Sequence, residues 1–358
     1  MSIGKVQINN LNLSQGEITA VENHLLFVGP GKGDKVGKLL TVNTDSDLSG
    51  VLVGADGLLA QVTAARDNGG QNWSASVMLY DAEGDGIASW SDAVDEAMEL
   101  AKVEGVVLTD PLSSVSDIEA MQAKSERIMA KYMRPVWFAG RAPAFDADSQ
   151  SWEEYATAIK PLTADVAADA CLVTPTIWGP ELGTLMGRLC NAAVTVADSP
   201  MRVATGALVG SWTERPVDKA GRRLDMSVLE GLDKARFSVP QWYPDYEGMY
   251  WADGNVLDVN GGDFQVIENV RVIMKAMRRV YPLAVARIAD RRFNSTPASV
   301  AQNKTYFMRP LREMSRSVTI LGQTFPGEIY PPEDGDITVS WPSRTSVELY
   351  MAVRPYNC

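Results

Sequence analysis

The feature that most constrains the fold of this chain is an alternation, between residues 21 and 200, of short apolar runs with amphipathic helical patterns. The runs HLLFVGPG, GVVLTD, PVWFAG and ACLVTPTI each have the length of one buried strand. Helical patterns separate them, one of which has Ser91 as its expected N-cap. Strands that alternate with helices are typical of a mostly parallel sheet covered on both faces. Residues 21–200 are therefore predicted to form an α/β domain.

The pattern changes after residue 200. VATGALVG has the composition of a strand, and the aromatic segment SVPQWYPDYEGMYWADGNVL is typical of a β-hairpin. Helical spacing predicts one helix over 264–288, kinked or ended by Pro282, and a second over 298–317. DITVSW and SVELYMAVRP predict two closing strands. Residues 201–358 are thus predicted to form a helix-rich domain that closes with β-strands, and the whole chain is predicted to be α+β.

The first 20 residues predict a separate, extended arm. The segment IGKVQINNLNL alternates apolar and polar side chains, which is the pattern of a short strand. A strand at a chain end carries unpaired backbone groups, so it gains most by completing another sheet. The apolar residues of this predicted arm strand are Val6, Ile8, Leu11 and Leu13.

Composition excludes several classes of protein. A net charge of -12 over 358 residues disfavours direct binding to nucleic acid, because phosphates would be repelled. No apolar stretch reaches the roughly 18 residues of a membrane span, so no membrane contact is predicted. Three cysteines without a C-x-x-C pair indicate a reducing compartment such as a cytoplasm.

Charge is unevenly distributed along the chain. Residues 264–316 hold eleven Lys or Arg against three Asp or Glu, a net charge of +8 within a chain of net charge -12. A basic region and an acidic remainder allow copies of one molecule to attract each other. The alternative is that these cations pair with acidic residues of the same fold. The first interpretation predicts a basic interface formed by Arg271, Lys275, Arg278, Arg279, Arg291 and Arg292.

Motifs of common enzymes fail on spacing. GPGKGDKVGKLL places glycines and lysines after an apolar run, but Leu39 follows Gly37-Lys38 where a phosphate loop needs Ser or Thr. The same segment has Asp34 where a dinucleotide-binding loop needs its last glycine. His24 is the single histidine, and no nucleophile can be assigned beside it. No catalytic residue, cofactor or metal site is therefore predicted.

Three segments carry a resemblance to a known family. They are GADGLLAQVTAARDNGGQNWSASVMLYD, FQVIENVRVIMKAMRRVYPLAVARIADRRFN and DGDITVSWPSRTSVELYMAVRPYN. The first resembles a sheath pattern of helix, Asn-Gly-Gly turn and strand, and together the segments span most of the chain. The chain resembles the contractile tail sheath proteins of bacteriophages, specifically the compact type of myophages.

The resemblance implies a structural protein without a cofactor. Its subunits would form hexameric rings stacked into a helical sleeve around a tail tube, joined by terminal arms that add strands to a neighbour's sheet. The sleeve would shorten and widen to drive the tube through the host envelope, using energy stored in a metastable assembly. Its partners would be further copies of itself, the tail tube protein, the baseplate and the tail terminator. Assembly would take place in the host cytoplasm and the product would be part of the virion tail.

Roles for residues follow from the resemblance. The basic helices around 271–292 would face the tube, and residues 345–355 would join subunits. The family's C-terminal arm is expected after the closing strands, whereas this sequence stops at Cys358, so the arm is short or the sequence is incomplete. Two alternatives stay open: an α/β enzyme with an acidic site that no residue locates, and another tail, baseplate or capsid component. The apolar positions expected in the joining strand are Val347, Leu349, Met351 and Val353.

Overall fold

The structure is a computed structural model. It describes residues 21–84, 86–212, 214–343 and 346–356. The predicted arm strand lies outside the described residues, so its apolar positions Val6, Ile8, Leu11 and Leu13 are not placed.

Strands and helices alternate in the first part of the described chain, as the sequence predicts. The strands are β1 (Leu25–Pro30), β2 (Leu40–Asn43), β3 (Ser74–Tyr80), β4 (Gly105–Pro111), β5 (Trp137–Ala144), β6 (Ala168–Thr176), β7 (Pro240–Tyr243), β8 (Tyr246–Trp251), β9 (Val256–Leu257), β10 (Val318–Ile320), β11 (Gln323–Phe325), β12 (Ile337–Ser343) and β13 (Ser346–Met351). The helices are α1 (Leu48–Val51), α2 (Asp56–Gly69), α3 (Trp90–Leu100), α4 (Val115–Tyr132), α5 (Trp152–Ile159), α6 (Glu181–Leu189), α7 (Met226–Asp233), α8 (Ile267–Val285) and α9 (Pro297–Met314).

The central sheet is mostly parallel, which confirms the predicted fold class. Its strand order is β2-β3-β1-β4-β5-β6-β9. The five inner strands run parallel, while β2 and β9 pair antiparallel at the two edges. Because successive side chains of a strand point to opposite faces, Leu26 and Val28 of β1 enter one core, and Leu25 and Phe27 enter the other. Helices α3, α4, α5 and α7 cover the first face, and α1, α2 and α6 cover the second.

Helix starts follow local capping chemistry. Ser114 and Ser151 each form a capping box with the acidic residue three positions later, at the starts of α4 and α5. The prediction of Ser91 as a cap is wrong. Ser89 is the cap of α3, because its backbone is extended and its hydroxyl accepts a hydrogen bond from the Asp92 N–H. Ser91 lies inside the first helical turn.

Helices α2 and α6 pack backbone to backbone. A Cβ atom added at Gly183 would lie 2.0 Å from the Gln61 carbonyl oxygen, and one added at Gly187 would lie 2.2 Å from that of Ala65. The Gln61 side chain accepts a hydrogen bond from the Gly183 N–H at 2.7 Å and donates one to the Gly179 carbonyl at 2.8 Å. The two glycines, one helical turn apart, therefore allow this close approach.

Segments after residue 200 continue the α/β unit. Leu208, Trp212 and Trp251 belong to the second core, and β9 completes an edge of the central sheet. The predicted strand VATGALVG is wrong: it contains a 3-10 turn, Val203–Thr205, and no strand. Gly206 and Gly210 have φ values of 100° and 138°, which do not fit a regular strand. Segments on both sides of residue 200 therefore pack on the second core.

Helix α8 connects the α/β unit to a third core. Its first turns place Ile267 and Val270 in the second core, and its later turns place Ala276 and Val280 in the third. Pro282 lies inside α8, and the helix ends one turn later at Val285. Helix α9 and the antiparallel pair β12–β13 complete the third core, so the predicted closing strands are confirmed. The hairpin predicted from the aromatic segment is also confirmed, as β7–β8.

Candidate functional site

The closing strands form a two-stranded sheet whose outer edges carry no further strand among the described residues. Ile337 pairs with Met351, and Val339 with Leu349. Leu349, Met351 and Val353 are partly buried against the third core, whereas Val347 is exposed. The four predicted joining residues therefore mostly fix this sheet to its own subunit. A sheet edge of this kind can pair with a further strand through its backbone N–H and C=O groups.

Arg271, the first residue of the predicted basic interface, is not at the surface of the subunit. This side chain is fully buried, and its Nε and Nη2 atoms lie 2.7 and 3.0 Å from the two carboxylate oxygens of Glu104. Nη1 donates to the Leu189 carbonyl and Nη2 also donates to the Asn23 side chain, both at 2.9 Å. The expectation that Arg271 faces a partner is therefore wrong, because its charge is satisfied inside the fold.

Two further cations of the predicted interface are also paired internally. Lys275 Nζ lies 2.5 Å from a carboxylate oxygen of Glu328, and both side chains are about one tenth exposed. Arg278 binds Glu22 at 3.2 Å and donates to the Pro135 carbonyl at 3.1 Å. The alternative left open by the sequence is thus confirmed for these positions. Lys275 and Arg278 are therefore not available to a partner, because each is paired with a carboxylate of its own subunit.

The other three predicted cations are exposed. Arg279 projects from α8, and Arg291 and Arg292 follow that helix. The Arg292 guanidinium lies 2.9 Å from Asp290, an exposed contact of small energetic weight. The basic surface available to a partner at the predicted positions is therefore Arg279, Arg291 and Arg292.

Residues next to the predicted arm are held by a group that we call the junction network: Glu22, Asn23, Glu104, Arg271 and Arg278. The Asn23 N–H donates to Glu104 at 2.6 Å, and Asn23 adopts a left-handed φ of 67°. Burial alone would raise the pKa of Glu104, but the Arg271 guanidinium outweighs it and holds that pKa below its usual range. The network fixes the start of the α/β unit against α8 through charged hydrogen bonds.

Little in the local sequence pattern indicates this network. Glu104 stands directly before the apolar run GVVLTD, and nothing in that local pattern shows a partner 167 positions later. A weak signal was the spacing of Arg271, Lys275 and Arg278, which places them on one helical face next to apolar residues.

Residues rejected as catalytic have structural contacts. Lys35, in the glycine-rich turn, donates to the carbonyls of Gly50 and Val51 at 2.9 and 2.7 Å. His24 lies 3.0 Å from both the Ser74 and the Ser76 hydroxyls, and burial lowers the pKa of its imidazole. Among the described residues, no group of three His, Cys, Asp or Glu side chains could hold a metal ion. No helix in the described ranges is long and apolar enough to cross a membrane.

Two family models and one relative match nearly the whole chain. The DUF2586 N-terminal domain matches residues 3–255, and the DUF2586 C-terminal domain matches residues 263–358. A tail sheath protein of Haemophilus phage HP1 (strain HP1c1) is 45% identical over 359 residues, which cover 99% of this chain and 94% of that protein.

Solved structures share the fold at low sequence identity. The sheath of an extracellular contractile injection system (PVC) in its contracted state has a TM-score of 0.60 at 12% identity, covering 99% of this chain and 95% of that one. A sheath tail protein from Listeria innocua has a TM-score of 0.61 at 7% identity, covering 94% and 92%. The contracted helical sheath of the anti-feeding prophage has a TM-score of 0.58 at 13% identity, covering 99% and 96%. The chain belongs to the DUF2586 family and is a structural subunit of a bacteriophage tail sheath.

Proposed function

We propose that the chain polymerises as stacked hexameric rings around a tail tube, and that this sleeve contracts to drive the tube through the host envelope. The observation that carries the proposal is the β12–β13 sheet, which is packed on the third core and has no further strand at its outer edges among the described residues. Support also comes from two solved structures of the same fold, the sheath of a contractile injection system and the helical sheath of the anti-feeding prophage, both in contracted states.

Strand addition fits a polymer that changes its geometry. Main-chain hydrogen bonds between an added strand and a sheet edge do not depend on how the two subunit bodies are oriented. A partner strand on β12 or β13 would therefore keep neighbouring subunits joined while the rings rearrange. In this proposal, residues 1–20 of one copy supply such a strand. Leu349, Met351 and Val353 keep the receiving sheet fixed to its own subunit.

The junction network gives a physical path for force between the arm and the body. It joins Glu22 and Asn23, directly after the proposed arm, to Glu104 and to Arg271 and Arg278 of α8. Helix α8 in turn packs on both the second and the third core. A pull on the arm would therefore act on the whole subunit and not on one loop.

The remaining partners follow from the same proposal. Arg279, Arg291 and Arg292 would contact the tail tube protein or a neighbouring copy, and the ends of the sleeve would contact the baseplate and the tail terminator. The relatives are structural sheath proteins, which argues against the α/β enzyme. Contraction would draw on energy stored in the assembled state, without a cofactor, and subunits would assemble in the host cytoplasm. We further propose that residues 1–20 form an arm, followed by an α/β unit and a helix-and-strand unit.

Negative-stain electron microscopy of the purified chain tests the proposal. The full chain should form hollow sleeves or stacked rings, and a chain lacking residues 1–20 should stay a folded subunit. A synthetic peptide of residues 1–20 should block sleeve formation by competing for the β12–β13 edge, and a scrambled peptide of the same composition is the matched control. Normal sleeves from the shortened chain would contradict the role of the arm. Absence of any ordered polymer, with or without a tube, would contradict the proposed function.

A further inference from the structure

A cavity of about 530 Å³ lies where α8 begins, outside the network and the strands described above. Carboxylates dominate its charged groups, although one arginine is present. Its polar lining includes Asp198, Ser199, Arg202, Asp253 and Glu268.

Glu268 is the unusual residue of this cavity. It lies in the first turn of α8, its residue is only 6% exposed, and its Oε2 atom is buried without a hydrogen-bond partner. A buried carboxylate oxygen without a partner is costly, because the lost hydration is not replaced. Burial, reinforced by the nearby charge of Asp253, raises the pKa of Glu268 to about 7.

The other charged groups leave this carboxylate uncompensated. Asp198 accepts hydrogen bonds from the Thr195 N–H and hydroxyl at 2.6 and 2.8 Å, and it lies 3.7 Å from Arg202. Arg202 also lies over the Phe325 ring, so its guanidinium is occupied. Asp253 accepts only a long hydrogen bond of 3.4 Å from the Ser199 hydroxyl among its contacts to described side chains.

The net charge of the side chains around the cavity indicates which kind of ligand it lacks. Asp198 and Arg202 cancel, and Arg271, the other cation near Glu268, is bound to Glu104. Glu268 and Asp253 therefore leave the cavity with an excess of negative charge. A metal ion is a poor match, because no three metal-binding side chains converge within the described residues.

We propose that this cavity receives the guanidinium group of an arginine from a second copy of the chain, with Glu268 and Asp253 as its partners. The inference rests on the proposed self-assembly. Charge complementarity supports it: three cations of the basic segment are used inside the subunit, while Arg279, Arg291, Arg309 and others remain at the surface. A guanidinium presents several donors in one plane, so it can serve two carboxylates at once.

The test compares E268Q and D253N with E119Q, a matched control at an exposed glutamate of α4. The measured quantity is the critical concentration for sleeve formation. E268Q should raise it at least about tenfold, as expected for the loss of a charged hydrogen-bonded pair at an interface. The same change should leave the free subunit as stable as before or more stable, because Gln removes a buried charge. Weak assembly therefore cannot be mistaken for misfolding.

A double-mutant cycle identifies the donor. E268Q is combined in turn with R279Q, R291Q, R292Q, R309Q, R312Q and R316Q, and the donor is the arginine whose effect does not add to that of E268Q. An unchanged critical concentration in E268Q, or additive effects with all six arginines, would overturn the inference.

A readout on the unassembled subunit separates this inference from the proposed function. Agmatine, a small soluble guanidinium, should bind the unaltered chain and the E119Q variant in a calorimetric titration, and its binding should be lost in E268Q and D253N. Absence of sleeves from the unaltered chain would count against the proposed function alone. Absence of any agmatine binding that depends on Glu268 would count against the cavity, whatever the chain assembles into.

Discussion

Replacing Arg271 by methionine should destabilise the folded chain more than replacing both members of its ion pair. The Arg271 and Glu104 side chains are 1% and 0% exposed, so solvent does not screen their interaction. In R271M the carboxylate of Glu104 stays in the interior and keeps only the Asn23 N–H as a donor among the contacts described. Breaking one side of a buried pair typically costs about 3–5 kcal/mol, because the remaining charge is left uncompensated.

The double variant R271M/E104Q removes that charge. Glutamine still offers an oxygen to the Asn23 N–H, so the remaining loss comes from the donors that Arg271 gave to Leu189 and Asn23. At about 1 kcal/mol for each such hydrogen bond, the double variant should lose about 2 kcal/mol. The second substitution should therefore recover about 1–3 kcal/mol of what R271M loses.

Urea unfolding followed over a range of pH measures both effects. Arg271 outweighs burial and holds the pKa of Glu104 below its usual range, so the pair stabilises the fold above about pH 4.5. That stabilisation is lost as the pH falls through the lowered pKa of the folded state. In R271M only Arg278 and the Asn23 N–H oppose the effect of burial, so the pKa of Glu104 should rise, and the difference in unfolding free energy between the unaltered chain and R271M should narrow in acid. Equal free energies of unfolding for R271M and R271M/E104Q, or a gap that does not change with pH, would refute the reasoning.

Three further predictions concern other parts of the subunit. Burial raises the pKa of Glu268 from 4.5 to about 7, so the free energy of unfolding should fall by about 3 kcal/mol as the pH rises through this range, and E268Q should abolish that fall in urea titrations. G183A should cost at least about 2 kcal/mol in the same assay by separating α2 from α6, whereas G57A, with open space around its Cβ position, should not destabilise the chain. R279E should change the free energy of unfolding by no more than about 0.5 kcal/mol relative to the unaltered chain, and it should block the formation of sleeves in electron micrographs. R278A, in contrast, should lower the free energy of unfolding by breaking the contact with Glu22. Normal sleeves from R279E would contradict the basic interface.

The α/β unit can be predicted from the sequence because each inner strand is recognisable from its own residues. Runs such as GVVL at the start of β4 are apolar at every position because both faces of a parallel strand are buried, and this is visible in a single segment. The edge strand β9 has two residues and exists only because it pairs with β6, so no local pattern marks it. Periodicity places Arg271 and Arg278 on one face of α8 but does not say whether that face meets water or carboxylates. Their partners, Glu104 and Glu22, are too distant in sequence for spacing to reveal.

That distance also governs when the subunit can become complete. Glu22 and Arg278 are 256 positions apart, and Asn23 and Arg271 are 248 apart. At translation rates of about 5–20 residues per second, roughly 10–50 s pass between synthesis of the two sides. During that interval the residues that follow the N-terminal segment have no α8 against which to be fixed. In a nascent chain Glu22 and Asn23 therefore cannot reach their final partners, and the junction network is completed only after α8 has left the ribosome.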